Sequence, residues 1–199
     1  MKYIIMADGK GTRWNNYGDI PKHFIRVEGE TLLARTVRLL HEYDPGCSVI
    51  ITSHDPRYEV EGAVRYEPKN NVLEIDRFTA ELIEDDVCFL YGDTYYSHEA
   101  IETVTGTAAE DLLFFGNHRS IVAVKVRDGA LFRRHVSRVR ELFLAGRIEK
   151  CIGWQVYQSF TGLPFGEKTI TEKYVLLADE TRDFNSPEDY ENNRRNEQA

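Results

Sequence analysis

Cysteine is scarce in this 199-residue chain: three residues, Cys47, Cys88 and Cys151, far apart and odd in number, with no CxxC pair. That pattern excludes a disulfide framework and a cysteine zinc site and leaves three reduced thiols. Excess positive charge is lacking too. A net charge of −8, from 25 Lys and Arg against 33 Asp and Glu, argues against a protein whose task is to grip nucleic acid, although a local group of cations can still hold a small anion. No apolar run approaches membrane-spanning length, and the N-terminal MKYIIMADGKG has only a short apolar stretch before Asp and Gly. Neither a membrane span nor a signal peptide is expected, and the expected location is the cytoplasm. Repeats, low-complexity segments and linkers are also missing. Residues 1–199 therefore read as a single domain, with the tail from about Asn192 to Ala199 expected to fray.

What is present is ordinary for a globular protein, 42% hydrophobic and 29% charged residues. Lys2 to Ala7 reads as a buried strand running into a glycine-rich turn, and a loop follows through Trp14 to Asp19. Glu30 to Tyr43 reads as a helix with Leu32, Leu33, Val37 and Leu40 on one face, ended by Pro45-Gly46. Ser48 to Ser53 is a continuous apolar, β-branched run, as expected of a strand covered on both faces. The alternation continues with a helix over Leu73 to Glu84 and strands at Val87 to Tyr91, Leu112 to Phe115 and Ile121 to Val126. A helix over Ala130 to Leu144, a strand at Tyr174 to Ala178 and a helix over Pro187 to Arg194 complete it. Alternating strands and helices predict a mainly parallel, Rossmann-like α/β sheet with helices on both faces. In such sheets ligands sit at the carboxyl ends of the strands, near a topological switch point.

Three polar motifs follow strands. The first is Ala7-Asp8-Gly9-Lys10-Gly11-Thr12-Arg13, with Pro21-Lys22 beyond it. Gly9 and Gly11 allow a tight turn that aims backbone N–H groups at an anion, and Arg13 and Lys22 add two positive charges. Cations aimed at a triphosphate are the main catalytic device of phosphoryl transfer. The loop lacks the spacing of a P-loop and the third glycine of a dinucleotide fingerprint. The second motif is Gly92-Asp93 after Val87 to Tyr91; the third is Asp183-Phe184-Asn185-Ser186-Pro187-Glu188-Asp189. Magnesium takes one or two protein carboxylates plus phosphate oxygens, and Asp93 and Asp183 can supply the carboxylates. Ser186 suits a helix N-cap and Pro187 the first helical position, while Glu188 and Asp189 complement the helix dipole.

MADGKGTRW followed by IPKHFIRVEGETLLARTVRLL resembles the signature of the sugar-phosphate nucleotidyltransferase superfamily, a first strand, LAAGxGTR, a short loop, PK, and then a helix after V-x-G-x-x-L-L. Gly9, Gly11, Thr12, Arg13, Pro21, Lys22, Val27, Gly29, Leu32 and Leu33 match it. The lone Asp93 after a central strand and Asp183 before a S-P-E-D helix start are similar to the family's acidic positions. The resemblance implies the nucleotide-diphospho-sugar transferase fold. It also implies that the loop, with Ala7, Asp8 and Arg13, wraps a triphosphate, that Lys22 meets the α-phosphate, and that Mg²⁺ sits on Asp93 and Asp183. Asp8 departs from the family, which has a small residue there; a carboxylate beside a triphosphate is repulsive unless it faces a metal or the base. Base recognition is implied for Asn71, Asp76 and Arg77, where Asp76-Arg77 echoes T-D-R of sugar-acid cytidylyltransferases and the Asn pair resembles the choline-phosphate branch. Both use CTP.

The expected substrates are thus an NTP, CTP foremost, and a phosphorylated small-molecule acceptor, with no nucleic acid or membrane partner; oligomeric state stays open, a homo-oligomer included. Arg119, Lys168 and Lys173 can meet the acceptor's phosphate. Trp154 can line its pocket, and would then favour a quaternary ammonium by a cation–π contact, or can belong to the core. His23, His118 and His135 have no nucleophile or metal partner nearby in sequence and read as surface or loop residues. Two other functions stay open: a nucleotide-sugar glycosyltransferase, disfavoured because Gly92-Asp93-Thr94-Tyr95 lacks Asp-x-Asp, and a non-catalytic nucleotide-binding module.

Overall fold

The computed structural model describes all residues except 10, 12, 15, 16, 198 and 199, and only the backbone of 193 and 195–197. Thr12, assigned to the nucleotide loop, lies outside the described residues. Seven strands form the central sheet: β1 (Lys2–Met6), β4 (Ser48–Thr52), β5 (Val64–Tyr66), β6 (Val87–Tyr91), β8 (Leu112–Gly116), β9 (Ile121–Val126) and β10 (Tyr174–Leu176). Their order is β10-β8-β9-β6-β1-β4-β5. Only β9 runs antiparallel to its neighbours; the remaining pairings are parallel. Two small ribbons lie outside this sheet, β2 (Arg26–Val27) with β3 (Glu30–Thr31), and β7 (Thr94–Tyr95) with β11 (Arg182–Asp183).

Side chains alternate across the central strands, so the sheet builds a core on each face. Tyr3, Ile5 and Leu90 pack with Leu33, Val37 and Leu40 of α1 (Leu32–Tyr43) and with Ala100, Ile101 and Val104 of α2 (His98–Gly106). Ile4, Met6 and Phe89 pack with Phe132, Val136 and Val139 of α3 (Gly129–Leu144) and with Val156 and Tyr157 of α4 (Gly153–Thr161). A third cluster holds the site's frame. Trp14, Ile25, Val27, Leu32, Tyr95 and Phe184 pack together, joined by Tyr190 of α5 (Pro187–Glu197), so the N-terminal loop is tied to the C-terminal ribbon and helix.

Caps fix the helix starts: Thr31 accepts from Ala34 N, Ser97 from Ala100 N and Asp128 from Leu131 N. At α5, Ser186 Oγ accepts from Asp189 N while Asp189 returns the bond to Ser186 N, a reciprocal box. The helix runs to Glu197, past the Arg194 expected from sequence. The helix expected over Leu73 to Glu84 does not form. Two short 3₁₀ turns, Glu74–Arg77 and Ala80–Leu82, stand there: Asp76 caps the first by accepting from Val72 N and Leu73 N, and the backbone leaves helical geometry at Phe78 and Thr79, where Thr79 N turns back onto Arg77 O. Among the described residues no helix is long and apolar enough to cross a membrane.

The chain leaves β1 through α1 to β4 on one side, then returns past it to β6 on the other. That reversal opens a crevice at the carboxyl ends of β1 and β6, where the first two motifs sit.

Candidate active site

Two adjoining cavities occupy the crevice. One, of about 220 Å³, is lined by Gly11, Arg13, Lys22, Asn71, Arg77 and Asn185 among others. The second, of about 260 Å³, shares Arg13, Lys22, Arg77 and Asn185 with it and adds Asp93, Asp183, Arg119, Ser120 and the start of α4 at Gly153 and Trp154. The cations expected near the N-terminus and the two distant carboxylates therefore face a common space.

The acidic pair is held by backbone pairing. Asp93 follows β6 and precedes β7; Asp183 lies in β11, opposite Thr94, and Phe184 N donates to Asp93 O at 2.9 Å. Asp183 accepts from Ser120 Oγ at 3.2 Å and from Asn185 Nδ2. Asn185 in turn accepts from Arg13 Nη2 at 2.7 Å, which connects the glycine-rich loop to the C-terminal carboxylate across 172 residues of chain. Gly11 supports the loop's turn with φ +55, a conformation that disfavours a side chain.

Lys22 and Asp93 are both buried, their side chains 8% and 10% exposed, and form an ion pair. Burial is the largest influence on Asp93 and raises its pKa, but the neighbouring basic groups, Lys22 foremost and Arg77 among them, together hold the carboxyl below its ordinary value. His23 is not a surface residue: it is buried beside this pair with Nδ1 2.8 Å from Tyr58 Oη, and burial depresses its pKa to about 3, so it is neutral near pH 7. Arg77 reaches over the loop, so close that a Cβ at Gly9 would lie 2.9 Å from its Nη2. The loop thus meets Arg77 only because residue 9 has no side chain.

Asp8 is engaged by its neighbours. Its carboxylate accepts from His54 N at 2.9 Å, His54 Nδ1 at 2.7 Å and Asn71 Nδ2 at 2.8 Å. Ala7 and Asp8 line a neighbouring cleft with Gly9, His54 and Tyr58, which shares Gly11 and Lys22 with the first cavity.

Three expectations need correction. Asp76 is no base-reading group: its oxygens hold Val72 N, Leu73 N and, at 3.1 Å, Arg140 Nε, and it lines neither cavity. Lys173 precedes β10, at the amino edge of the sheet, and pairs with Asp111 at 3.1 Å and Glu110 at 3.4 Å; it cannot reach an acceptor in the crevice. Lys168 lies 5.5 Å over the Trp154 ring, where a ligand's ammonium group would have to stack. Trp154 itself is buried, stacked on Tyr174 at 5.6 Å, and still borders the cavity. The residues that the sequence reading missed are His54, Ser120 and Asn185. Asn185 lies inside the motif that drew attention to Asp183, and His54 stands just past a strand's carboxyl end, but nothing local marked either as a partner.

No protein-family model and no curated protein matches the sequence. Solved structures do match in fold. CTP:phosphocholine cytidylyltransferase from Streptococcus pneumoniae is 15% identical, covers 96% of each chain and has a TM-score of 0.60. UTP-bound UGPase from Acinetobacter baumannii is 12% identical over 98% of this chain and 92% of its own, with a TM-score of 0.66. The inositol-1-phosphate CTP transferase from T. maritima is 14% identical over 94% and 90%, with a TM-score of 0.53. The chain has the Rossmann-like fold of these nucleotidyltransferases over nearly its whole length, the fold expected from the motif resemblance.

Proposed function

We propose that the protein is a nucleotidyltransferase that moves a nucleoside monophosphate from an NTP, CTP foremost, to a phosphorylated small molecule and releases pyrophosphate. The observation that carries this reading is that Arg13, Lys22 and Arg77 line one cavity with Asp93 and Asp183.

An acceptor phosphate oxygen attacks the α-phosphorus in line, and the bond from that phosphorus to the bridging oxygen breaks with its electron pair leaving on pyrophosphate. The attacking oxygen is already anionic, so no general base is required. Gly9, Gly11 and Arg13 cradle the β- and γ-phosphates, Lys22 faces the α-phosphate, and Arg119 with the first turn of α4 receives the acceptor phosphate. Positioning and charge neutralisation then supply the rate.

Asp93, just before β7, and Asp183, in β11, line one cavity and offer two hard oxygen donors for a magnesium ion. This is the donor set of an ion that completes its shell with substrate phosphates and water. Bound there, magnesium would neutralise phosphate charge during transfer.

Asn71 supports CTP. Its Nδ2 donates to Asp8 O at 2.6 Å and Asp8 Oδ2 at 2.8 Å, which fixes the amide's orientation and leaves Oδ1 as an acceptor bordering the cavity. An acceptor suits the exocyclic amine of cytosine and repels the O4 of uracil.

The test is a pyrophosphate-release screen of four NTPs against phosphorylated sugars, sugar acids and amino alcohols. Magnesium-dependent release with CTP, at least tenfold above the other NTPs, is expected. NTP binding without release for any acceptor would instead identify a non-catalytic binding module.

A further inference from the structure

Beyond Trp154 lies a cavity of about 610 Å³ between the end of α3 and α4. It shares Arg119, Ile152 and Trp154 with the cavity that holds Asp93 and Asp183, so a ligand whose phosphate sits at Arg119 can extend into it. Its cations are Arg119, Arg147, Lys150 and Lys168, against one carboxylate, Glu149. Among the described residues, no ion pair engages any of the four. Several other cations do carry a carboxylate partner, Lys22 with Asp93, Arg77 with Glu74, Arg140 with Asp76 and Lys173 with Asp111. In a protein of net charge −8, unpaired cations around one hollow leave a local positive field.

Two further features describe what the hollow accepts. Lys168 is held over the indole of Trp154 while donating to Arg119 O at 3.3 Å, the same oxygen that accepts from Trp154 Nε1 at 3.3 Å. The indole face that would receive a ligand's ammonium carries that of Lys168 in this structure. Gln155 and Gln158 border the hollow as neutral polar residues, and the unpartnered Gln155 Oε1 is itself sealed from it.

We infer that the acceptor is anionic at both ends: its phosphate sits at Arg119 and the start of α4, and its second anionic group, carboxylate or phosphate, sits among Arg147, Lys150 and Lys168. This rests on the nucleotidyltransferase reading for the first end and on the cavity's own residues for the second.

The experiment compares matched probes by isothermal titration calorimetry: glucose 1-phosphate, glucuronic acid 1-phosphate and glucose 1,6-bisphosphate, and, for a shorter span, glycerol 3-phosphate against 3-phosphoglycerate. At least one probe with two anionic ends is expected to bind tenfold or more tightly than its singly anionic counterpart. In Arg147→Ala/Lys150→Ala, two exposed positions outside the proposed transfer machinery, that advantage is expected to disappear while the counterpart's affinity stays the same. The glucuronate and bisphosphate arms separate carboxylate from phosphate as the second group. Equal affinity within every set, absence of binding by all probes included, overturns the inference, as does an advantage that survives the double substitution. Pyrophosphate release is measured on the same preparation. Failure there with the binding advantage intact removes the transferase reading and leaves the anionic subsite standing.

Discussion

Replacing Lys22 by Met keeps most of the side chain's apolar volume and removes its charge, which leaves Asp93 buried and alone. At an effective dielectric constant of about 20 and a hydrogen-bonding separation of about 3 Å, the lost attraction is roughly 5 kcal/mol. Breaking one side of a buried pair typically costs about 3–5 kcal/mol. A second bound comes from protonation, since an unpaired carboxylate never costs more than its neutralisation. From an ordinary value of about 3.9, that is about 5 kcal/mol at about pH 7.5 and about 1.5 kcal/mol at about pH 5. The sign follows from the two states. In the native protein the Asp93 pKa is depressed, so the ion pair's stabilisation is present above the unfolded value and is lost as pH falls through the folded one. In Lys22→Met burial raises the carboxyl instead, so acidification relieves the variant. Urea unfolding followed by tryptophan fluorescence should show a deficit of about 3–5 kcal/mol at about pH 7.5, equivalent to about 6–20 °C in Tm for a chain of this size. The deficit should shrink by about 2–3 kcal/mol at about pH 5, and adding Asp93→Asn to Lys22→Met should recover part of it at the higher pH. A deficit below about 1 kcal/mol, or one that does not change with pH, would refute the buried pair.

Gly9→Ala should displace the Arg77 guanidinium, the flexible end of a side chain, from 2.9 Å; nucleotide KM should rise about tenfold while stability changes by less than about 1 kcal/mol, and an unchanged KM would remove Arg77 from the site. Asp8→Ala deletes three hydrogen bonds to His54 and Asn71 and frees the Asn71 amide to turn; selectivity for CTP over UTP, measured by kcat/KM, should fall by tenfold or more, and retained selectivity would count against Asn71 as the reader of the base. His23 takes up its proton near pH 3 when folded and near 6.5 when unfolded. The unfolded state therefore binds more protons between these values, and His23 withdraws about 5 kcal/mol of stability as pH falls from 6.5 to 3. The stability difference between wild type and His23→Asn should change by that amount over the interval, and a difference independent of pH would contradict His23 being buried and neutral.

Strands and the glycine-rich turn were legible because their signals are local: a β-branched run for β4, a continuous apolar run for β6, and paired glycines where β1 ends. The acidic pair was legible as two separate motifs, and their meeting came from the β7–β11 ribbon, whose strands are two residues each and too short to carry a pattern. The helix expected over Leu73 to Glu84 failed because the backbone breaks at Phe78 and Thr79, with the Phe78 ring packed on Phe89 and Phe132, a tertiary setting that local periodicity does not carry; Asp76 is likewise taken up by Leu73 N and Arg140. α4 escaped notice because Gly153, Trp154, Val156 and Tyr157 are weak helix formers, held helical by burial against Phe114 and Tyr174. Lys173 looked as eligible as Lys168, since sequence does not say which edge of a sheet a lysine occupies.

The most direct test is a crystal structure of the protein with Mn²⁺ and a non-hydrolysable CTP analogue, using the anomalous signal of the metal. The expected result is one manganese bonded to both Asp93 and Asp183, with the triphosphate lying along Gly9 to Arg13 and in contact with Lys22. A triphosphate bound away from that loop, or a metal held by neither carboxylate, would contradict a single nucleotide site built from the two ends of the chain.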